Sequence, residues 1–291
     1  IVLVDTTADY GDIAQFEGAS NTLDPFVIDV ALDAEAGGQL VLLLDLIGSG
    51  GQHTQTLQLT LPIAPAVQGL AVHDAGSFRL SLTNYGQFGG GIGNGKVGES
   101  LRYPADAEYA ILHRGALLLG TSSLKVSDGI AENDWVPGPG GPIKFIENSP
   151  RADQMTVGYT EEKSAGTINA IGVKLKQTTM AWRDSPDNDF VIIEYDIRNP
   201  HAGTINNVYV GLYADWDIPD SIPTRNAVGW NEALNLSYVQ NPQESSFPVG
   251  GLALVSDHRV SGARAVSNWQ YVHTNYSDNL FYAFMSVGTA L

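Results

Sequence analysis

The chain has 291 residues, and its 15 Lys and Arg against 32 Asp and Glu give a net charge of −17. This charge argues against partners such as nucleic acid or anionic lipid surfaces, because both require clustered basic side chains. The absence of cysteine excludes disulfides, thiolate catalysis and Cys-ligated metal centres. Because apolar runs such as Leu40–Leu44 are far shorter than the ~20 residues that a membrane-spanning helix needs, we do not expect membrane insertion.

Short alternating or β-branched stretches, separated by many of the 32 glycines and 14 prolines, predict strands along the whole chain. In chain order the predicted strands cover residues 26–32, 39–47, 54–61, 77–83, 109–119, 154–159, 168–180, 189–198, 206–218, 235–240, 250–257 and 280–287. Hardly any window keeps a helical period for a dozen residues. The pattern therefore predicts an all-β fold built as a sandwich or barrel.

Two turns predict hairpins. The glycine-rich turn Gly48–Gly51 can supply positive φ angles, so the strands on either side of it are expected to pair. The turn at 199–203 is expected to close the strands 189–198 and 206–218 onto each other in the same way.

A break in the alternation at Pro62–Pro65 predicts a boundary between two domains, residues 1–66 and 67–291. The first domain holds only about three convincing strands, fewer than the ~7 of a complete sandwich. The last residues stop within an apolar alternating stretch. We therefore expect both ends of the chain to be cut from a longer protein, with a partial β-module at the start.

The most distinctive acidic segment is "NNVYVGLYADWDIPDS", residues 206–221. Its Val, Leu, Ala and Trp residues alternate with Tyr, Gly and Asp, which predicts a strand with one apolar and one solvent-facing side. Asp215 and Asp217 share the solvent-facing side about 7 Å apart, and Asp220 follows Pro219. Spacing alone does not exclude an acid pair for glycoside hydrolysis, but hard oxygen ligands at a strand end match calcium better.

A second acidic segment, "DSPDND", precedes the strand at 189–198. If the turn at 199–203 closes a hairpin, both acidic segments lie at its open end and converge. The candidate Ca²⁺ ligands are then Asp184, Asp187, Asp189, Asp215, Asp217 and Asp220. A solvated acidic rim and a catalytic acid pair remain the alternatives.

The segment "GGGIGNGKVGES" matches two phosphate-binding patterns only superficially. Val97 stands where a magnesium-binding Ser or Thr is required, and Pro104 interrupts any helix that would face a phosphate. We therefore predict a flexible loop there. The six histidines show no metal-ligand spacing, no serine-protease triad is formed by the motifs present, and no catalytic residue is predicted.

Aromatic residues leave a sugar-binding alternative open. Trp135 and Trp230 lie in loop-like contexts and are expected to be exposed, where they would stack on a sugar ring. Trp216 lies on the apolar side of its predicted strand and is expected to pack in the core.

Two stretches carry a family resemblance. The segment "GQFGGGIGNGKVGESLRYPADAEYAILHRGALLLGTSSLKVSDG" and the segment "DFVIIEYDIRNPHAGTINNVYVGLYADWDI" resemble consecutive parts of modules found in large secreted or cell-surface bacterial proteins of the type IX secretion class. Such modules also occur downstream of subtilisin-like peptidase domains. The matching positions in the second segment are Tyr209, Gly211, Asp215, Trp216, Asp217 and Ile218.

The early segment "FVIDVALDAEAGGQLVLLLDLIGSGGQHTQTLQLTLPI" is similar to the closing half of an immunoglobulin-like module frequent in the same proteins. With it, the resemblance covers residues 24–66, 72–130 and 189–257. It implies export and a β-sandwich, but it supplies no catalytic residues.

From these observations we expect a partial immunoglobulin-like module followed by a larger β-sandwich. The expected function is a non-catalytic extracellular or cell-surface module with a structural or adhesive role, stabilised by Ca²⁺ and contacting other modules of the same protein or neighbouring subunits. Two alternatives stay open: an accessory region of a secreted subtilisin-like peptidase, and a carbohydrate-binding module.

Overall fold

Antiparallel β-strands account for most of the regular structure in the computed structural model of the chain. The structure describes residues 2–10, 26–29, 38–64, 66–90, 98, 100–130, 134–163, 169–219, 223–255, 263–266 and 277–286. The chain divides into two compact units, Ile1–Ala64 and Pro65–Leu291. The strands form several antiparallel sheets, and the described residues include one short α-helix, so the predicted all-β, sandwich-type fold is confirmed.

The first unit contains two pairs of strands. Strand β1 (Val2–Asp5) pairs with β2 (Val27–Asp29), and β3 (Gln39–Gly48) pairs with β4 (His53–Pro62). The predicted β3–β4 hairpin is therefore correct, and Gly50 and Gly51 in its turn have φ angles of 65° and 91°.

One face of the β3–β4 hairpin is made of leucines. The register places Leu40 opposite Leu61, Leu42 opposite Leu59 and Leu44 opposite Leu57, and directly opposite residues share a face. Packing covers this face only in part, because Leu59 is 48% exposed.

The second unit begins with a seven-stranded sheet, called here the first sheet. Its strands are β5 (Leu70–His73), β6 (Arg79–Thr83), β7 (Gln87–Gly89), β8 (Leu101–Arg102), β9 (Leu112–Ser122), β10 (Lys125–Ser127) and β16 (Tyr209–Trp216). Strands β7, β8 and β10 pair with one side of β9, and β16 pairs with the other side.

A five-stranded second sheet faces the first. It contains β11 (Trp135–Pro137), β12 (Lys144–Phe145), β13 (Gln154–Glu162), β14 (Lys174–Ala181) and β15 (Val191–Arg198). The core between the two sheets is apolar: Leu117 and Leu119 of β9, for example, lie in one cluster with Trp135 and Leu175. The two packed sheets make the second unit a β-sandwich.

A small third sheet and a helix complete the second unit. Strands β17 (Ala227–Asn231), β18 (Leu236–Gln240) and β19 (Gly250–Ala253) form the third sheet. Gly250 lets the sheet approach the ring of Trp216, because a Cβ atom at this position would lie 2.4 Å from that ring.

The helix, α1 (Asp278–Ser286), lies where a strand at 280–287 is predicted, so that prediction is wrong. Phe281 and Met285 are buried in it, one helical turn apart. The short run "LFYAFM" is apolar at every position and therefore has no visible period that would distinguish a helix from a strand.

The second predicted hairpin is also wrong. Strand β15 pairs with β14 in the second sheet, whereas β16 pairs with β9 in the first. The turn at 199–203 does form local hydrogen bonds, from Asn199 Nδ2 to the Gly203 carbonyl and from the His201 N–H to Asn199 Oδ1. Ile205 then packs against the core between the sheets, so this connection crosses from one sheet to the other.

Candidate functional site

Strand β16 lies at the rim of the first sheet. Each residue from Tyr209 to Ala214 pairs with a residue of β9, from Gly120 to Gly115. Among the residues that the structure describes, β9 is the strand partner of β16, and the other side of β16 carries no paired strand. An edge of this kind presents backbone N–H and C=O groups that another strand can pair with.

One face of the strand β16 is covered by α1. The ring of Tyr209 makes an edge contact with Tyr282 at a centroid distance of 5.6 Å, and Tyr213 makes one with Phe281 at 6.5 Å. Between them, Gly211 leaves room for Met285, because a Cβ atom there would lie 3.1 Å from its Cγ. The face of β16 that carries Tyr209, Gly211 and Tyr213 was predicted to face solvent, but it is packed against a helix.

The opposite face of β16 carries exposed apolar side chains. Val208, Val210 and Leu212 are 44%, 54% and 42% exposed. Further along, Ala214 and Trp216 pack against the core cluster between the sheets. We call Val208, Val210 and Leu212 the edge stripe. Residues 199–214 around it contain no Asp, Glu, Lys or Arg, on a chain whose net charge is −17.

The first predicted calcium ligand on β16 is engaged in an ion pair. Asp215 is 7% exposed, and its carboxylate lies 3.8 Å from the Nε of Arg114 on β9. The two residues are directly opposite each other in the strand register. Asp217 is half-buried, and its backbone N–H donates to the carbonyl of Ile111. Asp220 lies outside the described residues.

The other predicted ligands lie in the loop between β14 and β15. Asp184, Asp187 and Asp189 are exposed there, and the Asp187 N–H donates to the Asp184 carbonyl. Because β15 and β16 are not paired, the hairpin that was expected to bring this loop to Asp215 does not exist. Within the described ranges, no group of three or more His, Asp or Glu side chains is close enough to hold a metal ion.

A buried polar network surrounds His73 between the sheets. Its Nε2 lies 2.7 Å from Thr179 Oγ1, which in turn lies 2.5 Å from Thr156 Oγ1. Its Nδ1 lies 3.3 Å from Oε1 of Gln154, and that oxygen also accepts hydrogen bonds from the backbone N–H groups of Asp74 and Ala75. Burial lowers the pKa of His73, and the hydrogen bond with Gln154 and the charge of Asp74 oppose this effect.

A second buried acceptor joins the two sheets. Glu162 on β13 is 4% exposed, and its carboxylate accepts hydrogen bonds from the backbone N–H groups of Ile171, Gly172 and Val173 and from the hydroxyl of Ser127 on β10. These backbone groups are bound by a side chain and not by a neighbouring strand. This explains why β14 begins at Lys174, although a strand was predicted from residue 168.

Of the two tryptophans that were expected to be exposed, one is buried and one is exposed. Trp135 is 0% exposed, and its indole N–H donates to the Leu117 carbonyl, so the predicted exposure of Trp135 is wrong. Trp230 is 40% exposed, as predicted. Of the glycine-rich motif, residues 91–97 and 99 lie outside the described residues.

An open depression of about 360 Å³ lies beside Arg79, Arg102 and Asp106. One of these side chains serves the fold directly, because Arg102 Nη1 donates to the Ala107 carbonyl at 2.9 Å. No helix among the described residues is long and apolar enough to cross a membrane.

The two packed antiparallel sheets define an all-β protein of the sandwich type. Comparison with family models, curated proteins and solved structures gives no significant match to the chain.

Proposed function

We propose that the chain is a non-catalytic β-sandwich module of an exported bacterial protein, with a structural or adhesive role at the cell surface or in an extracellular assembly. The observation that carries this proposal is the uncharged, apolar edge at β16 on a strongly acidic chain. A sheet edge with exposed apolar side chains recognises another strand through main-chain hydrogen bonds and side-chain contacts.

The buried polar side chains support the same proposal. Among the described residues, His73, Glu162 and Asp215 are three titratable side chains that are buried. Their hydrogen bonds and ion pairs join strands and loops of the sandwich to one another. Groups used in this way stabilise a fold and do not face a substrate.

The resemblance of residues 72–130 and 189–257 to modules of secreted proteins supports export. We therefore expect the parent protein to be exposed on intact cells of the source organism. Antibodies raised against the chain should label intact and permeabilised cells equally. Labelling that requires permeabilisation would contradict the proposed location.

The structural role is tested by complementation. Deleting the coding region should reduce surface attachment or the extracellular assembly, and the wild-type gene should restore it. A gene carrying Leu212→Lys, which places a charge on the edge stripe, should restore it less well. The matched control is Leu124→Lys, because Leu124 is 72% exposed in the turn between β9 and β10 and lies outside the stripe. Full restoration by both variants would contradict a role for the edge.

A further inference from the structure

We infer that the β16 edge pairs with the β16 edge of a second copy of this chain, antiparallel and about a two-fold axis. The inference rests on the proposed function, because it names the partner of the edge that carries it. It is argued from the geometry of the strand, from its charge and from the size of the contact.

The geometry of β16 suits a self-complementary contact. Two identical strands that pair antiparallel are related by a two-fold axis perpendicular to the sheet, so each side of the joined sheet shows the same face of both copies. When Val210 faces Val210 of the second copy, Val208 faces Leu212 of that copy, and Leu212 faces Val208. Each edge stripe then lies beside its counterpart on one face of the joined sheet, and both α1 helices lie on the opposite face.

The charge distribution favours a second copy over a basic partner. Two chains with a net charge of −17 repel each other wherever their acidic surfaces meet. Residues 199–214 carry no Asp, Glu, Lys or Arg, so the repulsion is weaker at this contact than at an acidic one. The stripe itself offers a basic partner no carboxylate to bind.

The size of the contact limits its strength. Strand β16 has eight residues, which is about 26 Å of strand at ~3.3 Å per residue. A single strand edge is smaller than the ~800 Å² per partner of a standard stable interface. We therefore expect a reversible dimer with a dissociation constant in the micromolar range or weaker. Such a contact becomes effective when many modules are held close together, because their local concentration is high.

Sedimentation equilibrium of the full chain, from about 5 to about 500 µM, measures the association. We expect a monomer–dimer equilibrium that becomes tighter as NaCl rises from about 20 to about 500 mM, because salt screens the repulsion between the copies. A chain that stays monomeric throughout, or a dimer that salt dissociates, would overturn the inference.

Substitutions assign the dimer to the stripe. Val210→Lys places two like charges opposite each other, and Leu212→Lys places a charge opposite Val208 of the second copy. Each substitution should weaken the dimer at least about tenfold. Leu59→Lys is the matched control in the rival apolar face of the β3–β4 hairpin and should leave the dimer intact. Circular dichroism and the melting temperature check that each variant is folded. A dimer that Leu59→Lys abolishes and the stripe variants do not would overturn the inference.

Spin labels give a test that does not depend on these substitutions. Because the chain has no cysteine, Val210→Cys carries the only attachment site for a nitroxide. Facing positions of paired strands are about 5 Å apart at Cβ, so the label should show strong dipolar broadening at dimer-forming concentrations. The same label at Leu124→Cys should not. A dimer without broadening at Val210 would overturn the proposed pairing.

Failure of this inference can be distinguished from failure of the proposed function. A wild-type chain that stays monomeric overturns self-pairing, but the cell-labelling and complementation experiments still decide whether the module acts at the surface. If Leu212→Lys fails in complementation while the pure chain is monomeric, the edge binds a different protein and the second copy is excluded.

Discussion

The carboxylate of Asp215 lies 3.8 Å from the guanidinium Nε of Arg114, across two paired strands, with side-chain exposures of only 8% and 13%. The ion pair gives a structural role to a residue that the sequence placed in a calcium site. Removing one member of a buried pair leaves the other charge buried without its partner, which is costly.

We therefore predict that Asp215→Asn lowers the free energy of unfolding by about 1–3 kcal/mol in urea denaturation. The control is Glu194→Gln, because Glu194 pairs with Arg151 at 3.0 Å but both side chains are about half exposed. That substitution should change the stability by less than about 1 kcal/mol. Equal effects of the two substitutions would contradict a structural role for the buried pair.

Calcium binding at the six predicted aspartates stays a prediction, and the same variant tests it. If Asp215 is a ligand, Ca²⁺ should raise the melting temperature of the wild type relative to EDTA, because a ligand bound only by the folded state stabilises it. Asp215→Asn should then reduce this shift. If the melting temperature of the wild type is the same with Ca²⁺ as with EDTA, and the same holds for the variant, the calcium prediction is wrong and the ion-pair role remains.

Glu162 supports a second prediction. Its carboxylate accepts three backbone N–H groups and the Ser127 hydroxyl, and an amide has only one oxygen to offer them. Glu162→Gln should lower the free energy of unfolding by about 3 kcal/mol, because buried donors lose their acceptor.

The neighbouring residue provides a matched control for Glu162. Glu161 lies 3.3 Å from Lys174, with side chains 32% and 24% exposed. Glu161→Gln removes the same charge from the same strand and should lower the free energy of unfolding by less than about 1 kcal/mol. If both substitutions have similar effects in chemical denaturation, net charge matters more than the buried hydrogen bonds.

The third prediction concerns pH and His73. Burial lowers the pKa of His73 below its ordinary value of 6.5. As the pH falls, the imidazole of His73 therefore binds a proton in the unfolded chain before it does so in the folded chain. The contribution of the neutral His73 to the free energy of unfolding is complete above about pH 6.5 and is lost as the pH falls below this value. The loss continues down to the folded pKa, with a slope of at most about 1.4 kcal/mol per pH unit.

His73→Gln should remove this part of the pH dependence, measured as the free energy of unfolding between about pH 7.5 and about pH 5. His113→Gln is the control, because His113 is exposed on β9. The difference between wild type and His73→Gln isolates His73 from the carboxylates that titrate at lower pH. Parallel pH profiles for wild type and His73→Gln would show that His73 is not the group responsible.

The parts of the fold that local patterns determine could be predicted from the sequence. The β3–β4 hairpin follows from alternating side chains on either side of a turn in which Gly50 and Gly51 adopt positive φ. The partners of β15 and β16 could not be predicted in this way. They are set by packing against β14 and β9, and a turn that could close a hairpin also allows a crossover.

The site depends on contacts that have no local signal. No sequence pattern near Glu162 predicts that its carboxylate accepts hydrogen bonds from the N–H groups of residues 171–173, or that the hydroxyl of Ser127 donates to it from the other sheet. Alternation did reveal the Val208, Val210 and Leu212 series. It separates two faces of a strand but does not say which one is covered, because that depends on α1, more than sixty residues further along the chain.

The fourth prediction tests this assignment of faces on β16. The alternating pattern alone predicts that Leu212 is buried and Tyr213 exposed, whereas Leu212 is 42% exposed and Tyr213 packs against Phe281 of α1. Tyr213→Ala should therefore lower the free energy of unfolding by about 2–4 kcal/mol, because it leaves a cavity under the helix. Leu212→Ala should cost less than about 1 kcal/mol in the same urea titration at concentrations where the chain is monomeric. The reverse order would mean that α1 does not cover this face of the strand, and that the edge stripe is part of the core.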